Sequence, residues 1–203
     1  MSMRGCQFAL AMCAVLLSPS AVAQWAAPER PFKVAFQLGV TEGGDNLATV
    51  YYSNGGRQDI RAGALLHFAA GVLWQPEDMP FSWQATYGYH VNEAYASNSS
   101  TRFSRFPLEV LAFYNGVGRW RFGGGVRFVN DAEFRSDIGS VSSVKFDNTT
   151  GVVAEVGYDF GRALWLSGRF VAEKYRPKSL NGAPAQGPDV NGDHVGIYFT
   201  VGF

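Results

Sequence analysis

Cysteine is nearly missing from this sequence: there are two in 203 residues, Cys6 and Cys13, both within the first 23. Past that point no thiolate is available to ligate a metal, attack a substrate or close a disulfide. An excess of charge of one sign is also missing. Seventeen basic residues balance seventeen acidic ones, so the chain carries no electrostatic footprint for nucleic acid. Beyond the first 23 residues no stretch approaches 18 consecutive apolar residues, which excludes a transmembrane helix. Histidine is scarce as well. His67, His90 and His194 show neither H-x-x-x-H nor H-E-x-x-H spacing, so no metal site and no cofactor are expected.

What is present begins with a short basic start. Arg4 precedes an almost wholly apolar run, Cys6 to Leu17, and the small-residue triplet Ala21-Val22-Ala23 follows. A run too short to span a bilayer, ending in an A-x-A site, predicts a cleavable signal peptide over residues 1–23 and an exported domain over 24–203. Loss of Arg4 then leaves 16 basic against 17 acidic residues, and no cysteine at all.

The rest of the sequence alternates with a period of two, the mark of strands whose two faces meet different surroundings. Over 32–41, Phe32, Val34, Phe36, Leu38 and Val40 oppose Lys33, Ala35, Gln37, Gly39 and Thr41. Segments of similar character follow at 60–74, 81–92, 105–114, 120–128, 151–160, 164–173 and 194–203, which makes eight. In the second of these, Ile60, Ala62 and Ala64 fall on the apolar parity with Leu66 and Phe68. Segments of about ten alternating residues separated by turns are how a membrane barrel reads.

Connection lengths alternate too. Residues 76–80, 115–118 and 161–163 are short and rich in Gly and Pro, whereas 93–104, 130–145 and 176–192 are long and polar. That matches the short periplasmic turns and long extracellular loops of such barrels. Phe32, Trp74, Phe81, Tyr114, Trp120, Phe160 and Phe203 share the outward parity and the short-turn end, as an interfacial aromatic ring requires. Residues 43–59 include Asn54-Gly55, a hairpin turn signal. They are read as a β-extension of the first surface loop, with extra wall strands as the alternative.

With these features the chain resembles the small bacterial outer-membrane β-barrels of the OmpA and OmpX type over residues 32–203. The final strand, ending in Phe203, resembles the assembly signal of that class. The resemblance implies an all-β, eight-stranded antiparallel up-and-down barrel in the bacterial outer membrane. Its partners would be outer-membrane lipids and lipopolysaccharide, the barrel-assembly machinery and an extracellular ligand met by the loops. Members include adhesins, anchors and a few lipid-modifying enzymes, so the fold does not choose an activity.

The inward parity carries a charge network. Its basic members are Lys33, Arg61, Arg105, Arg121, Arg127 and Arg169, and its acidic members are Glu109, Asp147, Glu155, Asp159 and Glu173. An eight-stranded barrel has an interior just wide enough for side chains to fill, and buried charges there must pair. The expectation is a plugged lumen, with function resident in the surface loops and no catalytic residues. The alternatives are a narrow solute channel and a lipid-modifying hydrolase. The hydrolase needs a serine, a histidine base and an acid converging near the outer interface, and no H-x-S occurs: His90-Val91-Asn92 and His194-Val195-Gly196 lack the nucleophile.

Overall fold

A computed structural model describes residues 31–52, 54–96, 99–137 and 143–203. The expected signal peptide, residues 1–23, lies outside these. Eight strands build the wall: β1 Phe32–Gly43, β2 Leu65–Trp74, β3 Phe81–Ala96, β4 Ser99–Val117, β5 Trp120–Ser136, β6 Thr149–Gly161, β7 Leu164–Ala172 and β8 His194–Gly202. Each pairs antiparallel with the next, and β8 returns to β1 with Phe36 opposite Val201 and Val40 opposite Ile197. Val34 and Phe203 exchange two backbone hydrogen bonds at 3.0 and 2.9 Å, which extends that seam to the end of the last strand. A closed ladder leaves no sheet edge, the condition for strands to cross a hydrocarbon layer. Among the described residues no helix is long and apolar enough to do so instead.

The alternation read from the sequence becomes an inside and an outside. On β1, Val34, Phe36, Leu38 and Val40 are exposed while Ala35, Gln37 and Thr41 are buried. For a soluble protein this would be inverted; for a barrel in lipid, the exposed apolar belt is the face that meets acyl chains. The lower aromatic side chains pack against one another around the short-turn end. Phe32 stacks on Trp74 at 6.0 Å, Trp74 on Trp83 at 4.7 Å, and Phe81 meets Tyr114 at 5.4 Å. Tyr89 and Phe106, 5.1 Å apart, belong to the upper ring.

The upper half departs from expectation. The long connections are not simply polar loops: β3, β4 and β5 run to 16, 19 and 17 residues and rise above the belt. Ser143–Phe146 adds to the upper part of β5, and Pro177–Leu180 adds to Ser143–Phe146. Asn46–Tyr51 pairs with Arg57–Arg61 as a separate hairpin, which among the described residues is laddered to no wall strand. Its turn uses Gly55 at φ 81°, and Asn54 Oδ1 accepts from Gly56 N at 2.9 Å. The wall therefore keeps eight strands.

Hairpin and extended strands enclose a second apolar core above the barrel. Val50 and Ile60 from the hairpin meet Phe103, Val129, Ala132, Phe146 and Tyr175, all buried. This corrects the parity expected for residues 60–64. Ile60, Ala62 and Ala64 are buried, not lipid-facing, because the chain turns between Arg61 and Leu65, where Gly63 N bonds Gly43 O at 3.1 Å. A period of two shows that one face is apolar, but a cap core and a lipid tail make the same demand on it.

Candidate functional site

Alternation sends every second side chain of β4 to β7 into the lumen, and six of these, with one residue beyond β7, carry the buried charge. Arg105 and Glu109 come from β4, Arg121 and Arg127 from β5, Glu155 from β6 and Arg169 from β7, with Glu173 just beyond β7; all are buried. They form one ladder of alternating sign. Arg121 Nη2 donates to Glu155 Oε1 at 2.6 Å, and Glu155 Oε2 accepts from Arg169 Nε at 2.9 Å. Arg169 Nη1 reaches Glu109 Oε2 at 2.7 Å, and Glu109 Oε1 accepts from Arg127 Nη1 at 2.7 Å. Arg127 Nε lies 3.0 Å from Glu173 Oε2, and Glu173 Oε1 lies 3.7 Å from Arg105 Nε. An arginine stands at each end, so the ladder carries four positive against three negative charges.

Aromatic rings receive the guanidinium faces that carboxylates do not. Arg121 lies over Phe113 at 4.2 Å and Trp165 at 4.7 Å, and Arg169 lies over Tyr198 at 4.0 Å. Arg105 lies 5.0 Å from the Phe103 ring centroid. Arginine suits this because its plane stacks while its edge donates. At the upper end Tyr175 donates to Glu173 Oε1 at 2.5 Å. Burial pushes the Tyr175 phenol well above its ordinary value, which keeps it a donor.

The remaining charges of the expected network lie elsewhere. Arg61 is part of the surface hairpin and pairs with Glu42 at 3.6 Å, half-exposed, because the turn at residues 62–64 carries it over the rim. Asp147 sits on the outer surface, 4.0 Å from Lys178. Lys33 keeps the inward parity, but at the short-turn end, where it is half-buried. Asp159 accepts from Gly161 N at 2.6 Å and so closes the 161–163 turn.

Several contributors are neutral and carried no charge pattern to find them by. Gln37 accepts from Arg169 Nη1 at 3.2 Å and donates to Thr200 at 3.0 Å. The three histidines, far apart in sequence, gather in the lumen. His67 and His90 are cross-strand partners with ring centroids 5.4 Å apart, and His90 and His194 face each other at 5.2 Å. Arg105 and Arg127 both aim Nη2 at His90 Nδ1, at 2.8 and 3.0 Å. Arg105 Nη2 is also 3.2 Å from Nε2 and so lies over the ring, which leaves Arg127 as the donor that assigns Nδ1 as acceptor and the proton to Nε2. Nε2 then donates to Thr41 Oγ1 at 2.9 Å, which itself donates to Gly63 O at 2.8 Å. Of the three, His90 meets the arginines, while His194 Nδ1 donates to Gly192 O at 2.8 Å. Among the described residues no grouping of His, Asp and Glu suits a metal ion.

No family model matches the sequence, and no curated protein matches it. Among solved structures, the crystal structure of Neisserial surface protein A matches with a TM-score of 0.50 at 12% identity, covering 86% of this chain and 98% of that one. At that identity the likeness concerns the fold. The closed wall, the apolar outer belt and the neisserial neighbour agree on it: this chain has the fold of the small eight-stranded outer-membrane β-barrels.

Proposed function

We propose that the protein resides in the bacterial outer membrane as a non-conducting barrel whose role is carried by its extracellular cap, through structural support or contact with a ligand outside the cell. The observation that carries this reading is the charge ladder. Arg121 and Arg105 are ten residues apart along the barrel wall when the β4–β5 register is followed, and the ladder joins them with each rung buried. A path for ions would have to break those pairs, and separating a buried pair costs about 3–5 kcal/mol. The apolar cap core above Arg105 supports the same reading, since it places Phe103, Phe146 and Tyr175 over the mouth.

Outer-membrane lipids and lipopolysaccharide surround the belt in this reading, and the assembly machinery engages the last strand with Phe203 on its lipid-facing parity. Planar bilayer recording on the purified barrel tests the proposal. The expected result is no large, steady conductance. Stable channels with ion selectivity would overturn the plug and favour a narrow pore.

A further inference from the structure

Three cations stand in one line where the lipid-facing wall ends. Leu166 and Phe170 of β7 face outward and are exposed. Continuing the same parity past Ala172 brings Lys174, Arg176 and Lys178, all exposed, while Glu173 and Tyr175 between them are buried inward. Lys174 is thus the first charged side chain above the apolar belt on this strand, about 13 Å along the chain from Phe170 at ~3.3 Å per residue. On the neighbouring β6 the belt ends at Val152, which pairs with Ala172, and Thr149 and Asn148 follow.

These side chains line an open pocket of about 670 Å³ with Asp147 and Asp189. Arg176 meets Asp189 through Nε at 3.2 Å, and Lys178 lies 4.0 Å from Asp147. The two carboxylates restrain the upper cations and leave the Arg176 Nη groups for another acceptor. Lys174 has no ion pair among the described residues, so the pocket keeps one uncompensated positive charge. The height, the charge and the donor set match one ligand chemistry. At the level where hydrocarbon gives way to headgroups, the anion at hand is phosphate, which arginine and lysine bind by charge-assisted hydrogen bonds.

We propose that Lys174, Arg176 and Lys178 form a binding site for the phosphate of a membrane lipid headgroup at the outer rim of the barrel. This rests on the outer-membrane reading above and names a lipid contact of that same surface. The site belongs to one sector of the wall, so it selects an orientation for a bound lipid and is not a general ring of charge. Elsewhere on the outward parity Glu42 pairs with Arg61 at 3.6 Å and Glu93 stands opposite Arg102, so neither place offers an unpaired cation.

The experiment is native mass spectrometry of the whole folded barrel in detergent, with a bis-phosphorylated lipid A added, or the same lipid stripped of phosphate. Wild type should retain the phosphorylated lipid, and the triple variant Lys174→Gln, Arg176→Gln, Lys178→Gln should lose roughly tenfold or more of that retention. Equal retention of both lipids, or no difference between variant and wild type, would overturn the site. Inorganic phosphate binding alone as well as the lipid does would overturn the lipid as its source. Heat-modifiable migration on gels checks folding. If the triple variant does not fold, Lys174→Gln, exposed and without an ion pair, carries the same comparison. Bilayer insertion without selective lipid retention would sink this inference alone and leave the barrel reading standing.

Discussion

Arg169 and Glu155 stand directly opposite one another on β7 and β6, and the guanidinium holds a single carboxylate oxygen, Oε2, with both Nε at 2.9 Å and Nη2 at 2.5 Å. The other oxygen of Glu155 belongs to Arg121. Glu155 therefore compensates two buried guanidinium groups at once. Glu155→Ala should destabilise the folded barrel by about 3–5 kcal/mol, because it leaves buried charge without a partner. Urea unfolding in vesicles measures this. A midpoint equal to that of wild type would mean that water already solvates both arginines.

One residue further along β6 the sign of the argument reverses. Val156 is on the outward parity, 43% exposed, midway between Val152 and Phe160 in the belt. Val156→Arg should cost about 2–4 kcal/mol by placing a guanidinium near the bilayer midplane. Folding yield into liposomes reads the effect. The same yield as wild type would put Val156 outside the hydrocarbon.

How far the sequence could be read follows from these neighbours. Glu155 and Val156 differ in polarity, and their alternation alone assigns each to its face, as it does along most of the wall. The ladder's seven charges were visible for the same reason. Ile60 and Arg61 alternate just as cleanly, yet Ile60 enters the cap core and Arg61 leaves the lumen for Glu42. Nothing in a period of two marks the turn at residues 62–64, after which Leu65 adopts φ 93° without being glycine. The meeting of His67, His90 and His194 depends on which strands close the barrel and in what register, and spacing along the chain does not record that.

Gly39 offers a test of how tightly the lumen is filled. A Cβ there would lie 2.6 Å from the ring of Tyr198, which is fully buried and stacks under Arg169. Gly39→Ala must push that ring toward the guanidinium, and overpacking of this kind costs about 1–3 kcal/mol. The urea midpoint should fall, and the additional change Tyr198→Ala should relieve the crowding, so the two effects would not add. Strict additivity would show that the ring has room to move.

The cap makes a separate prediction, because its core and the barrel are held by different contacts. Ile60 is fully buried among Val50, Phe103 and Tyr175, while Arg57, three residues before it, is exposed near the hairpin turn. Ile60→Ala removes apolar packing between the hairpin and the upper ends of β4 and β5, and leaves the ladder of buried charge in the lumen untouched. Truncations of this kind cost about 2–5 kcal/mol, and here the loss falls on local opening of residues 46–61. At the lower figure the opened population rises roughly 30-fold, and cleavage that follows that population rises with it. Limited trypsin digestion should therefore cut after Arg57 much faster in the variant, while heat-modifiable migration of the intact barrel stays as in wild type. If cutting and barrel unfolding rise together, hairpin and wall are one cooperative unit, and the cap is no independent lid.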